Sequence, residues 1–147
     1  MISNRCKYAL KALIYIARQD KDKSVLSSEI SKDENIPKKF LENILRDLKN
    51  AQFLTSKRGA RGGYRLNKDP KNVTLIEIIR LMDGPIALLP CVSIMYHQTC
   101  DACKAEESCD IRSVFVEVRD ATLNIYRKTT LASLARQEKK ITFAENS

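Results

Sequence analysis

Three of the chain's four glycines, Gly59, Gly62 and Gly63, fall in one short stretch between the runs Phe53-Leu54-Thr55-Ser56-Lys57 and Tyr64-Arg65-Leu66. Glycine at that density lets the backbone turn sharply, and the flanking runs favour extended chain, so the segment reads as two short strands around a glycine-rich tip. Helical patterns precede it. From Asn4 to Arg18, Tyr8, Ala9, Ala12, Leu13, Ile16 and Ala17 share one helical face. Ile30 and its neighbours form a short helix with Glu29 in its first turn, Asn35 suits a left-handed turn residue, and Pro37 opens a third helix running to about Asn50. That helix is expected to turn Phe40, Leu41, Ile44, Leu45 and Leu48 inward, with Lys38, Lys39, Asn43, Arg46 and Lys49 on or beside its polar face. Helix, tight turn, basic helix is the helix-turn-helix order, here followed by the hairpin, and the fold class is mainly α with a small β-hairpin.

The charge falls where that order needs it. Lysine and arginine number 26 against 18 aspartates and glutamates, a formal net charge of +8, which favours a polyanionic partner. Between Lys38 and Arg65, eight basic residues face only Glu42 and Asp47, so this segment alone carries +6. Side chains near the start of a recognition helix reach base edges, while arginines on a flexible tip contact phosphates or enter the minor groove. Lys38, Lys39 and Asn43 are assigned to the first role and Arg58 and Arg61 to the second. Arg46, Lys57, Tyr64 and Arg65 complete the candidate interface with double-stranded DNA. The plain alternative is a solvated basic face beside an ordinary hairpin.

Downstream, Thr74 and Glu77 have capping-box spacing, and the helix they start ends at Asp83-Gly84-Pro85. Past Cys109 a long helix carries Ile111, Val114, Phe115, Val118, Ala121, Leu123 and Ile125 at steps of mostly three and four, a stripe that needs a partner surface. The expected division is a winged helix-turn-helix unit over 1–83, a cysteine-rich sensor loop over 84–109, a dimerisation helix with a C-terminal segment over 110–135, and a frayed tail over 136–147.

Four of the five cysteines lie in that loop as Cys91-x8-Cys100-x2-Cys103-x5-Cys109. The apolar run near the N-terminus is broken by Lys11 and too short for a membrane span, so a cytoplasmic location is expected. In a reducing compartment an odd number of cysteines is poorly explained by disulfides, which moves metal, cluster or redox chemistry forward. Four thiolates with one CxxC pair can close a tetrahedral zinc site or supply every ligand to a [2Fe-2S] cluster, and a metal-free thiol loop is the third possibility. Around them, Asp101, Glu106, Glu107 and Asp110 are opposed in the loop only by Lys104. His97, the one histidine, is an exposed loop side chain or a further ligand. Cys6, between Arg5 and Lys7, is a buried inert thiol, or one made acidic and reactive by those cations or used as an inter-subunit ligand. No nucleophile elbow, Walker loop or HExxH occurs, which leaves no case for an enzyme or a small-molecule substrate.

Several segments together resemble a known family. They are Arg5-x-x-Tyr8-Ala9-Leu10-x-Ala12-Leu13, Phe40-Leu41-Glu42-x-Ile44-Leu45-x-x-Leu48, Arg58-Gly59-Ala60-Arg61-Gly62-Gly63-Tyr64-Arg65-Leu66, Thr74-Leu75-x-Glu77-Ile78-Ile79, Gly84-Pro85, the cysteine loop and Thr130-Leu131-Ala132. Over about residues 1–135 the chain is similar to the winged helix-turn-helix transcriptional regulators of the IscR, NsrR and CymR type, the Rrf family. The resemblance implies a homodimeric bacterial regulator, here read as a repressor, in which the long helix forms the dimer interface and the third helix and wing bind DNA. It also implies, for many members, an iron-sulfur cluster on three loop cysteines and one further ligand, the cluster state setting DNA affinity; other members have none. This loop departs from that pattern, with four thiols where three are usual. Where some members place a carboxylate ligand from the partner's first helix, this chain has Lys7, which cannot ligate while charged. A winged module with a structural zinc or metal-free thiols, or a protein-interaction adaptor, are the competing readings.

Overall fold

The computed structural model describes residues 2–103 and 105–136. Six helices and one hairpin follow in order: α1 (Asn4–Ala17), α2 (Ser27–Asp33), α3 (Lys38–Asn50), β1 (Leu54–Lys57), β2 (Gly63–Leu66), α4 (Leu75–Asp83), α5 (Asp110–Lys128) and α6 (Leu131–Arg136). The expected frayed tail lies, apart from Arg136, outside the described residues.

The core forms where the helical stripes meet. Ala9, Ala12, Leu13 and Ile16 of α1 pack with Ile30, with Leu41, Ile44, Leu45 and Leu48 of α3, and with Ile78 and Ile79 of α4. Each of these helices buries about one side, as the 3.6-residue period requires. Asn35 turns the chain between α2 and α3 with φ 52°, as expected of an asparagine in the left-handed region. One inward residue of α3 was expected wrongly: Phe40 is 65% exposed. It lines an open cavity with Asn4, Arg5, Tyr8 and Pro37, because only the first turns of α1 lie near the start of α3.

β1 and β2 pair antiparallel, Leu54 opposite Leu66 and Lys57 opposite Gly63. A third segment joins the hairpin at Val25, whose N–H donates to the Tyr64 carbonyl at 2.9 Å and whose carbonyl accepts from the Tyr64 N–H at 2.8 Å. The wing is thus tied by backbone to the entry of α2. At α4, the Glu77 carboxylate accepts from the Thr74 N–H at 2.8 Å and the Thr74 hydroxyl at 2.6 Å, which caps the helix as its spacing predicts. The chain returns after α5: the Leu131 N–H donates to the Val73 carbonyl at 2.8 Å, and Leu131 enters the same core as α1. The short helix α6, unforeseen as a separate element, packs on α1, and Arg18 Nε donates to the Ala135 carbonyl at 3.0 Å.

Candidate nucleic-acid interface and thiol centre

The α3 face away from the core presents Lys38, Lys39, Asn43, Arg46 and Lys49, all exposed. Its two acids are already compensated: Lys38 Nζ lies 3.9 Å from Glu42, and Arg5 Nη2 is 2.7 Å from Asp47. Arg46 donates to the Asn43 side-chain oxygen, so these two form one polar unit half-way along the helix. On the wing, Lys57, Arg58, Arg61 and Arg65 are exposed and Tyr64 is half-buried. Lys57, Arg61 and Arg65 line an open cleft together with Lys23, which precedes α2. Lys23 is a basic contributor that the sequence pattern does not single out, because only the Val25–Tyr64 pairing carries it to the wing.

The thiols divide. Cys91 is buried in a tight turn, Pro90–Val92, held from α5 by Arg119 Nη1 donating to the Val92 carbonyl at 2.7 Å. Cys100 is exposed, and Cys103 and Cys109 are half-buried. Cys100 and Cys109 lie near enough to the Cys103 thiol to push it up to about 12. Cys91 is not among the groups acting on Cys103. Of the four thiols expected as ligands, Cys100, Cys103 and Cys109 are thus neighbours, and Cys91 stands apart from Cys103. No group of three or more such side chains among the described residues is already arranged to close on a metal ion.

His97 Nε2 lies 2.9 Å from Glu106 Oε2, and Arg112 Nε on α5 is 3.5 Å from the same oxygen. The loop's acids are thus not opposed by Lys104 alone: Glu106 has two basic neighbours, one contributed by a helix whose approach the loop sequence does not reveal.

Cys6 takes the first of its expected roles, a buried inert thiol, and not that of a thiol made acidic by its neighbours. It is fully buried, and burial, followed by the Asp83 carboxylate beside it, pushes its thiol up to about 11 rather than down. Arg5 and Lys7 are exposed and do not govern it. Asp83 also accepts from the N–H of Ser3 at 2.8 Å and from its hydroxyl, so the end of α4 holds the start of α1. The pH effect has a definite sign. Below about pH 9 the thiol is protonated in both states and contributes no pH dependence; between about 9 and 11 the unfolded chain ionises while the folded one does not, and stability falls. The expected loss in that window is at most about 1.4 kcal/mol per pH unit. Urea midpoints of wild type and Cys6→Ala at pH 8 and 10.5 check it, and equal pH dependence in the two proteins would remove Cys6 as the cause.

A family profile described as Rrf2, iron-dependent transcriptional regulator, matches residues 2–137. The chain is 44% identical over 137 residues to the rrf2-like HTH-type transcriptional regulator of Rhodobacter capsulatus, covering 91% of each. It is similar in structure to CymR, the global cysteine regulator of B. subtilis, with TM-score 0.77 and 28% identity over 92% of this chain and 95% of that one. Against IscR of T. potens the TM-score is 0.71 at 22% identity, covering 91% of this chain and 85% of that one, a likeness of fold.

Proposed function

The chain belongs to the Rrf2 family of transcriptional regulators, and on that premise we propose that it is a cytoplasmic, homodimeric repressor whose cysteine loop holds a redox-sensitive iron-sulfur cluster, [2Fe-2S] in type, that modulates its affinity for operator DNA. Winged helix-turn-helix folds of this kind bind duplex DNA through the recognition helix and wing. Here the exposed cations of α3 and the wing supply that surface, with Lys38, Lys39 and Asn43 directed to base edges and Arg58 and Arg61 to the backbone or minor groove. No helix among the described residues is long and apolar enough to cross a membrane.

The dimer reading is supported by α5. Ile111, Val114, Val118 and Ile125 are all exposed and recur at steps of three, four and seven, the spacing of a helix–helix seam. The observation that carries the sensor reading is the gathering of four free cysteines between the end of α4 and the start of α5, with Cys100 and Cys109 acting on the Cys103 thiol. Three soft thiolates at one place suit iron or zinc. Cys91, on the turn that Arg119 holds, is the candidate fourth ligand. When bound, the cluster supplies one-electron redox chemistry. The loop's own residues do the rest. Arg119 and Arg112 fasten its two ends to α5, so ordering or releasing Cys100–Cys109 changes how the winged unit is held against the dimer helix. Two recognition helices must lie about 34–36 Å apart to meet successive major grooves, which makes DNA affinity sensitive to that angle.

A second reading keeps the thiols metal-free. It is favoured by the donor geometry, because no group of three or more such side chains among the described residues is already arranged to close on a metal ion. Anaerobic purification followed by iron, sulfide and zinc analysis separates these cases. About two irons and two sulfides per chain support the cluster, about one zinc makes the loop structural, and neither leaves the thiols metal-free. The sensor reading fails if metal-loaded and metal-free protein bind one duplex equally at matched salt.

Arg61→Ala tests the wing. If Arg61 contacts a phosphate, affinity falls and the slope of log K against log salt flattens by about one unit. An unchanged slope takes Arg61 off the interface.

A further inference from the structure

We infer that Phe40 is a specificity-determining residue of the DNA interface, its ring receiving the 5-methyl group of a thymine in the major groove. The inference rests on the DNA-binding reading above. Leu41, Ile44, Leu45 and Leu48 of the same helix are buried, whereas Phe40 leaves 65% of its surface in solvent. It is the third residue of α3, in the first turn of the recognition helix, where side chains meet base edges. Lys38 and Lys39 precede it, and Asn43, one turn on, lies on the same side of the helix.

The surroundings select the occupant. An exposed aromatic ring is a general invitation to apolar partners, but this one is set among cations whose nearby acids are compensated, Glu42 by Lys38 and Asp47 by Arg5. That field favours a polyanion over an apolar protein surface. A phenylalanine ring can neither donate nor accept the hydrogen bonds by which guanine, cytosine and adenine are read. Thymine alone offers an apolar group, its methyl, in the major groove. Phe40 therefore adds what the polar side chains beside it cannot supply: discrimination for thymine at one position of each half-site.

Selection from a random-sequence duplex pool, with wild type and with Phe40→Ala, identifies the bound site. Deoxyuridine, which lacks only the methyl group, is then substituted for each thymine in turn. At one thymine per half-site, removing the methyl is expected to weaken wild type about fourfold, the scale of one buried methyl, and to leave Phe40→Ala unchanged. Because the ring is exposed, the variant should keep the wild-type urea midpoint, and a matched midpoint makes the comparison one of contact alone. If both proteins show the same deoxyuridine sensitivity at every thymine, the inference is overturned and Phe40 passes to a protein contact. If wild type enriches no sequence and binds duplex without salt dependence, the DNA reading falls and the inference with it.

Discussion

Cys103→Ser protein is expected to purify with less than about a tenth of the wild-type iron, a serine hydroxyl being a poor replacement for a soft thiolate ligand. The size of the effect follows from position. Cys103 is the thiol on which both Cys100 and Cys109 act, so its loss removes the middle of the group of thiols rather than one end. The side chain is partly solvated and takes no part in the core, so the variant should unfold together with metal-stripped wild type and bind DNA as metal-free wild type does. Full metal content in Cys103→Ser would take Cys103 out of the site. Cys91→Ser provides the contrast. Cys91 is buried, and a hydroxyl there without a partner is expected to cost about 1–3 kcal/mol whether or not the residue is a ligand. Its iron content then decides between four cysteine ligands and three: iron lost along with stability that returns in Cys91→Ala excludes packing as the cause, and iron retained assigns the fourth position to another group.

The order of elements was legible because it rests on local rules. The α1 and α3 stripes follow the helical period, Thr74 and Glu77 announce a cap, and Asn35 and the wing glycines mark turns. What escaped depends on contacts between distant segments. Phe40 fits the inward pattern of α3 as well as Ile44 does, and no periodicity could reveal that the neighbouring part of α1 leaves it beside an open cavity. A buried Cys6 was among the expected readings, but not that, after burial itself, the charged group acting on its thiol is Asp83 from the end of α4. The cysteine loop was visible as a cluster but not as a buried Cys91 and a linked trio, since Arg119, which holds the Pro90–Val92 turn, belongs to another element. The apolar stripe on α5 was legible from its period, but not that the chain itself covers Leu123 while Ile111, Val114, Val118 and Ile125 stay exposed.

The largest loss of stability from one wing substitution is expected for Gly63→Ala, and its cause is not the hairpin tip itself. Gly63 has φ +129°, outside the range alanine adopts readily, and a Cβ there would lie 2.5 Å from the Val25 carbonyl oxygen and 2.7 Å from its carbon. Both obstacles are backbone, so no rotamer change relieves them. The segment that must move is the one joined to Tyr64 by two hydrogen bonds, and Val25 itself is buried. Backbone strain of about 1–3 kcal/mol, with loss of two hydrogen bonds worth about 0.5–1.5 kcal/mol each, gives an expected loss of about 2–6 kcal/mol. DNA affinity should fall as well, because Arg61, Tyr64 and Arg65 are positioned by the hairpin that Val25 anchors. Gly59→Ala is the control: its φ of +106° is also unfavourable for alanine, but nothing lies within 4 Å of the added carbon, and only the strain, about 1 kcal/mol, remains. Urea midpoints of the two variants, with duplex binding measured at a temperature where both are folded, check the pair. A Gly63→Ala protein no less stable than Gly59→Ala would mean that the wing is not held through Val25, and the basic cleft that includes Lys23 would then lose its structural support.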